Sequence, residues 1–356
     1  MFEPVSPEHR AEIFRSLDQA GALRVEYVLM TILSCVIATF GLVLGSAAVI
    51  IGAMLIAPLM SPILRTALAL LYGDGRRSGW ALGTLAIGVV LSIALSTLIG
   101  LLVSAGPLNF LEELPAEVLS RTQPNLFDMI VALAGGTAGA YALCQKHLSG
   151  ALPGVAIATA LMPPLCTVGI GLSQDNMGVS GGALMLFLVN LVAIVFASSL
   201  IFALSGFRPS LHIERKDVFT RALLLEALLV LGMGAALAWT MYGIIQDALE
   251  LSTIRNVVVA EVVGKRENLV SIEREEQDDQ LVVEVLIRSS YNVSYYEARR
   301  IQRLIEQQLG RPVSLQLLVV PLTSIEPPSP TPTLPPESTA TLPPTPTITP
   351  TATIIP

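Results

Sequence analysis

The residues best placed to do chemistry in this chain are prolines set inside apolar stretches. The string GAMLIAPLMSPIL (52–64) carries Pro58 and Pro62, and AIATALMPPLCTVGIG (156–171) carries Pro163 and Pro164. Proline removes an amide donor and clashes with the carbonyl four residues back. In hydrocarbon a freed carbonyl must find another partner, so such a break persists only inside protein or beside a polar cavity. Freed carbonyls can coordinate a cation or a polar ligand, and the N-terminus of a half-helix favours an anion. Polar side chains close to the two breaks are Ser61, Thr66, Thr159, Thr167 and Asn190. The candidate substrate or ion path is therefore Pro58, Ser61, Pro62, Thr159, Pro163, Pro164, Thr167 and Asn190. The plainer alternative is a pair of kinks that shape packing, with the hydroxyls bonded to their own backbone and Asn190 bonding a neighbouring helix.

Other chemistry is poorly supplied. Cys35, Cys144 and Cys166 lie in apolar segments and read as small buried residues rather than a disulfide framework or a zinc site. His9, His147 and His212 are scattered without ligand spacing. Among acids and bases, Arg65 follows the first break and is expected to snorkel toward the cytoplasm. Glu226 falls one to two turns into an apolar stretch, and Asp128 pairs with Asn125 as a helix start. Paired buried carboxylates for a proton relay are missing, as are protease constellations and a phosphate-cradling loop. No enzyme, metal or cofactor is expected.

These residues must be positioned by membrane helices. Charged residues make up 14% of the chain, against roughly 25% in soluble domains, so an aqueous surface cannot be covered. Apolar segments of about 20 residues suit a bilayer core and fall at 26–44, 46–71, 79–104, 126–145, 151–173, 181–205 and 221–246, giving about seven spans. Gly45-Ser46 between the first two requires a tight hairpin. With the N-terminus inside, the cytoplasmic segments hold Arg10, Arg15, Arg24, Arg76, Arg77, Lys146, Arg208, Arg215, Lys216 and Arg221, while the opposite loops hold only Arg121. That asymmetry places the N-terminus in the cytoplasm of a prokaryotic cell and, after seven spans, the C-terminal part outside. Residues 1–25 are too charged for a cleavable signal. Ser6-Pro7-Glu8 starts, and Gly21 ends, a short amphipathic helix on the membrane surface.

Beyond the spans the pattern changes. Residues 252–321 read as a small soluble α+β domain, with strands at 256–263, 269–274, 281–289 and 313–320. Ser294 and Glu297 form a capping box that opens its helix, and Gly310 closes it. Its core is marginal in size. Residues 322–356 are a disordered Thr/Pro-rich tail that cannot bury a core.

Taken as three spans plus three, the spans put a Pro-broken helix in the middle of each half, with Pro58 over Pro164 through LIAPL and LMPPL. An inverted repeat with broken helices near the midplane is the plan of many secondary transporters. The fold class is thus an α-helical polytopic membrane protein (26–247) with a 3+3 inverted repeat, flanked by the N-terminal segment 1–25. The strings GLVLGSAAVIIGAMLIAPLMSPIL, IVALAGGTAGAYAL, LPGVAIATALMPPLCTVGIGL and LFLVNLVAIVFASSLIF resemble the bacterial and archaeal membrane family catalogued as domain of unknown function 389. That resemblance covers residues 25–210 and implies a membrane domain around Pro58, Pro62, Pro163, Pro164 and Asn190, without a substrate. The expected function is a transporter or channel-like permease. Its partners are the lipid bilayer, a small solute or ion, and further copies of the chain, with no nucleic acid. The alternative is a non-transporting scaffold or sensor with an extracytoplasmic binding domain.

Overall fold

Ser6 accepts a hydrogen bond from the amide of His9 and opens helix α1 (Pro7–Ala20), which stops at Gly21, as the sequence anticipates. The computed structural model describes residues 5–106, 114–145, 161–207, 213–262, 268–277, 280–289 and 294–321. They divide into two units, the first ending at Asp247 and the second beginning at Ala248. In the first, α1 uses its apolar face on protein. Ile13 and Leu17 are buried, and Phe14 meets Tyr72 edge-on at 5.0 Å.

Five helices are long and apolar enough to cross a membrane. They are α2 (Val25–Val43), α5 (Gly75–Ser104), α7 (Leu126–Cys144), α9 (Met177–Leu204) and the stretch 219–260 of α10 (Ile213–Val262). Helices α3 (Ala47–Ile56) and α4 (Met60–Leu71) are bent by 54° at their junction, and the pair is long and apolar enough to count as a sixth if it is one broken span rather than a re-entrant loop. A four-residue turn of helix, α6 (Ala116–Leu119), lies between α5 and α7. Helix α8 (Met162–Ser173) has 12 residues, too few to cross alone. The first part of the expected fifth span, including Thr159, lies outside the described residues. Helices α2 and α3 form the expected hairpin: Gly45 takes a φ of 62° and the Ser46 amide returns to Gly41 O at 2.8 Å.

Between apolar helices in an apolar solvent, close packing replaces hydrophobic exclusion as the source of cohesion. The small residues of the GGTAGA run serve this. A methyl group at Gly136 would stand 2.8 Å from the Ile194 carbonyl, so α7 and α9 touch backbone to backbone there. Leu59, Ile63, Leu161 and Phe202 are fully buried in one core, while Val90, Leu102, Val131 and Leu228 face outward.

The second unit holds a three-stranded sheet in the order β1-β2-β3. Strands β1 (Asn268–Gln277) and β2 (Gln280–Ser289) pair antiparallel, and β3 (Val313–Pro321) pairs parallel to β2 after helix α11 (Tyr295–Leu309). Leu281, Val283, Val285 and Ile287 alternate onto the face that packs with Ile301 and Ile305 of α11. The Ser294–Glu297 capping box is present, and Gly310 ends α11 with φ of 69°. The strand expected at 256–263 is not formed. Residues 256–262 continue α10, with Ile254, Val257 and Val258 buried in the same core as the sheet. The helix preference lost by β-branched residues is only a few tenths of a kcal/mol each, less than burying three such side chains returns.

Candidate functional site

The first break can be followed bond by bond. In an unbroken helix Ala57 would donate to Ala53, and residue 58 to Met54. Pro58 has no N–H, and the Ala57 amide turns to Met54 O instead at 3.3 Å. The Ala53 carbonyl is thereby released, and Ser34 on α2 donates its hydroxyl to it at 2.7 Å. The freed acceptor has thus found its partner on a neighbouring helix.

Helices α4 and α8 both start around proline. Pro62 is the third residue of α4, and Pro163 and Pro164 are the second and third of α8. A helix start leaves four N–H groups without intrahelical acceptors, and proline brings none. Two of those four orphans are absent from α8, whose first ten residues are buried. Proline here makes a helix start cheap to bury.

Helices α4 and α8 match closely. Each has 12 residues. Each ends in the same bonds: Tyr72 N to Leu68 O, Gly73 N to Leu70 O and Asp74 N to Ala69 O, against Gln174 N to Ile170 O, Asp175 N to Leu172 O and Asn176 N to Gly171 O. The middle residue of each connection is left-handed, Gly73 at φ of 64° and Asp175 at 53°. Asp is among the few residues with a side chain that accept this region. The last residue caps the next helix, Asp74 accepting from Arg77 N at 3.0 Å and Asn176 from Val179 N at 3.1 Å. Pro62 therefore corresponds to Pro164. The register of Pro58 over Pro164, drawn from LIAPL and LMPPL, is corrected by this geometry.

Packing repeats the match. Helix α4 lies against α5 and α9, and α8 lies against α9 and α5. Ser96 of α5 donates to Cys166 O on α8 at 2.6 Å, and Ser199 of α9 lies 3.4 Å from Ala67 O on α4.

The expected site residues are not gathered in one place. Pro58 and Ser61 line a cavity of about 800 Å³, walled also by Arg15, Ser16 and Gln19 of α1 and by Arg24. Pro163, Pro164, Thr167 and Asn190 are absent from that wall. Thr167 is wholly buried, and its Oγ1 has no hydrogen-bond partner among the described residues. Asn190 is buried on α9. Thr66 donates to Pro62 O of its own helix at 2.8 Å. Arg65 pairs with Asp18 at 2.9 Å and donates to Gly21 O at 3.1 Å, tying α4 to α1.

A buried polar seam was not anticipated. Cys35 of α2 and Cys166 of α8 bring their sulfurs to 3.7 Å, and the Cys35 thiol donates to Ser92 O of α5 at 3.2 Å. The signal was present in Cys35 with Thr39 and in Ser92 with Ser96, each pair four residues apart on one helix face.

Residues 54–196 match the family described as Domain of unknown function (DUF389), the stretch that holds α4, α5, α7, α8 and most of α9. It is the same family that the strings of the sequence resemble. An uncharacterized protein of Methanocaldococcus jannaschii, MJ0678, is 30% identical over 209 residues, covering 58% of this chain and 63% of that relative. No solved structure matches.

Proposed function

We propose that this chain is a membrane permease built from two related halves, each with a proline-started half-helix as its inner element. The matched pair α4 and α8 carries this reading: equal length, proline at the third position, the same three-residue connection, and packing against the same two long helices. A chain that reverses direction after three spans presents its second half upside down, the inverted plan on which secondary transporters rock around a central site. The cavity reaching Pro58 and Ser61 then serves as a vestibule open on the α1 side, and the tightly packed start of α8 closes the route beyond it. The charge asymmetry of the loops supports a vestibule on the cytoplasmic side and a second unit outside.

The test is flux in proteoliposomes, by solid-supported-membrane current and by uptake of a panel of monovalent ions, carboxylates and amino acids. Wild type should move at least one of these above empty liposomes. Pro58→Ala combined with Pro164→Ala should abolish that flux and leave the helical content unchanged. Flux that survives the double variant would remove the broken-helix mechanism.

The dry packing around Pro163 and Pro164 favours a second reading, a non-transporting membrane scaffold whose second unit binds a partner. Absence of flux across the whole panel, with the chain correctly inserted, would favour it.

A further inference from the structure

Glu226 is a carboxylate inside the apolar stretch 219–260 of α10, and it is only 8% exposed. Ser199 Oγ of α9 lies 3.3 Å from its Oε1, and its Oε2 is buried without a hydrogen-bond partner among the described residues. The same Ser199 Oγ stands 3.4 Å from the carbonyl of Ala67 on α4. A serine hydroxyl has one proton to donate. It cannot serve the carboxylate and the carbonyl at once.

Among the described residues, no charged side chain is bonded to this carboxylate. Helix α9 contains no Asp, Glu, Lys, Arg or His. The only charged residue of α4 is Arg65, engaged with Asp18 and Gly21 O. That of α7 is Asp128, bonded to the Asn125 amide at the helix start. Arg221, earlier on α10, lines a separate cavity with Asp74 and Ser78. Glu214, Arg215, Lys216 and Asp217 belong to the first residues of α10, whose side chains lie outside the described set. Among the described residues no ion pair includes Glu226. An isolated carboxylate in such a setting is strongly disfavoured as an anion and marks a functional position.

We propose that Glu226 is a proton-binding site whose occupancy turns the Ser199 hydrogen bond between α10 and α4. With the carboxyl protonated, its O–H donates to Ser199 Oγ, and the serine O–H donates to Ala67 O. When the proton leaves to water, the serine O–H turns to the carboxylate. The Ala67 carbonyl then keeps only its bond along α4. One proton is released, and the half-helix after the first break loses a tie to α9. In the permease proposed above this would be the site of the coupling ion, a use that rests on that reading; proton binding itself does not.

The measurement is pH-titrated infrared difference spectroscopy on the full chain in lipid nanodiscs, with potassium and then sodium as the background cation. A carboxylic C=O band should appear as pH falls, vanish in Glu226→Gln, and shift in frequency in Ser199→Ala while still titrating. The titration should be the same in both salts. An unchanged band in Glu226→Gln overturns the proposal, and a midpoint displaced by sodium assigns the site to a metal cation instead. Should Glu226→Gln fail to assemble, Ser199→Ala carries the test, and an unmoved band there overturns it. None of these readouts needs flux, so a failed permease reading leaves them intact.

Discussion

At Ala53 one hydroxyl decides whether a broken helix can be buried. Ser34→Ala leaves that carbonyl without a donor in a setting that offers no water, and the expected cost is about 1 kcal/mol by the scale of hydrogen bonds between membrane helices. Thermal unfolding in detergent should show it as a lowered midpoint. Thr97→Ala is the control, because Thr97 bonds only Ile93 O of its own helix, and its effect should stay within a few tenths of a kcal/mol. Equal effects would mean that the Ser34 bond does not support the break. The prolines themselves were legible in the sequence, because their chemistry is local. Their partners were not: Ser34 and Arg65 act across helices, and nothing in a single string says which face meets which. Arg65 shows this most clearly. Length and charge suggest a reach toward the end of its helix, but nothing local names the partner found there, Asp18 on α1.

Helix contacts divide glycines of the same spacing. Gly41/Gly45, Gly79/Gly83 and Gly135/Gly139 all have small-residue spacing. A side chain at Gly136, inside the last run, meets the Ile194 backbone, whereas Gly79 and Gly83 have nothing within 4 Å. Gly136→Leu should therefore prevent assembly of α7 on α9, read as loss of monodisperse protein on size exclusion. Gly79→Leu should leave assembly unchanged. The end of α10 gives the opposite lesson. Its β-branched run reads locally as a strand, yet tertiary burial makes it helix. A strand would put Val257 and Val259 on one face, but Val258 is fully buried and Val259 is 38% exposed. Val258→Asp should open the second unit to limited proteolysis, and Val259→Asp should not. Equal sensitivity of the two variants would contradict the helix.

At the scale of the whole molecule, composition made the apolar helices and the separate mixed unit readable, but the likeness of α4 and α8 lay hidden in backbone geometry. The ends of α4 and α8 share caps and connections more than side chains: Gly73 and Asp175 serve one conformation, and Asp74 and Asn176 one capping role. Side-chain identity is a poor guide where the common requirement is a left-handed residue followed by a side-chain oxygen. The number of crossings then decides the use of the second unit. Five long helices and the bent pair α3–α4 account for six crossings if that pair is one span, and α8 must then be the end of a seventh for the second unit to lie outside. Tyr296 on α11 is 82% exposed, and the native Cys35, Cys144 and Cys166 are buried, so a cysteine placed there can be labelled with little background. Tyr296→Cys should react with a membrane-impermeant maleimide on intact cells, and Arg76→Cys only after permeabilisation. If both react only after permeabilisation, the chain crosses an even number of times. In that case α8 belongs to a re-entrant segment, and the 3+3 plan on which the permease reading depends fails with it.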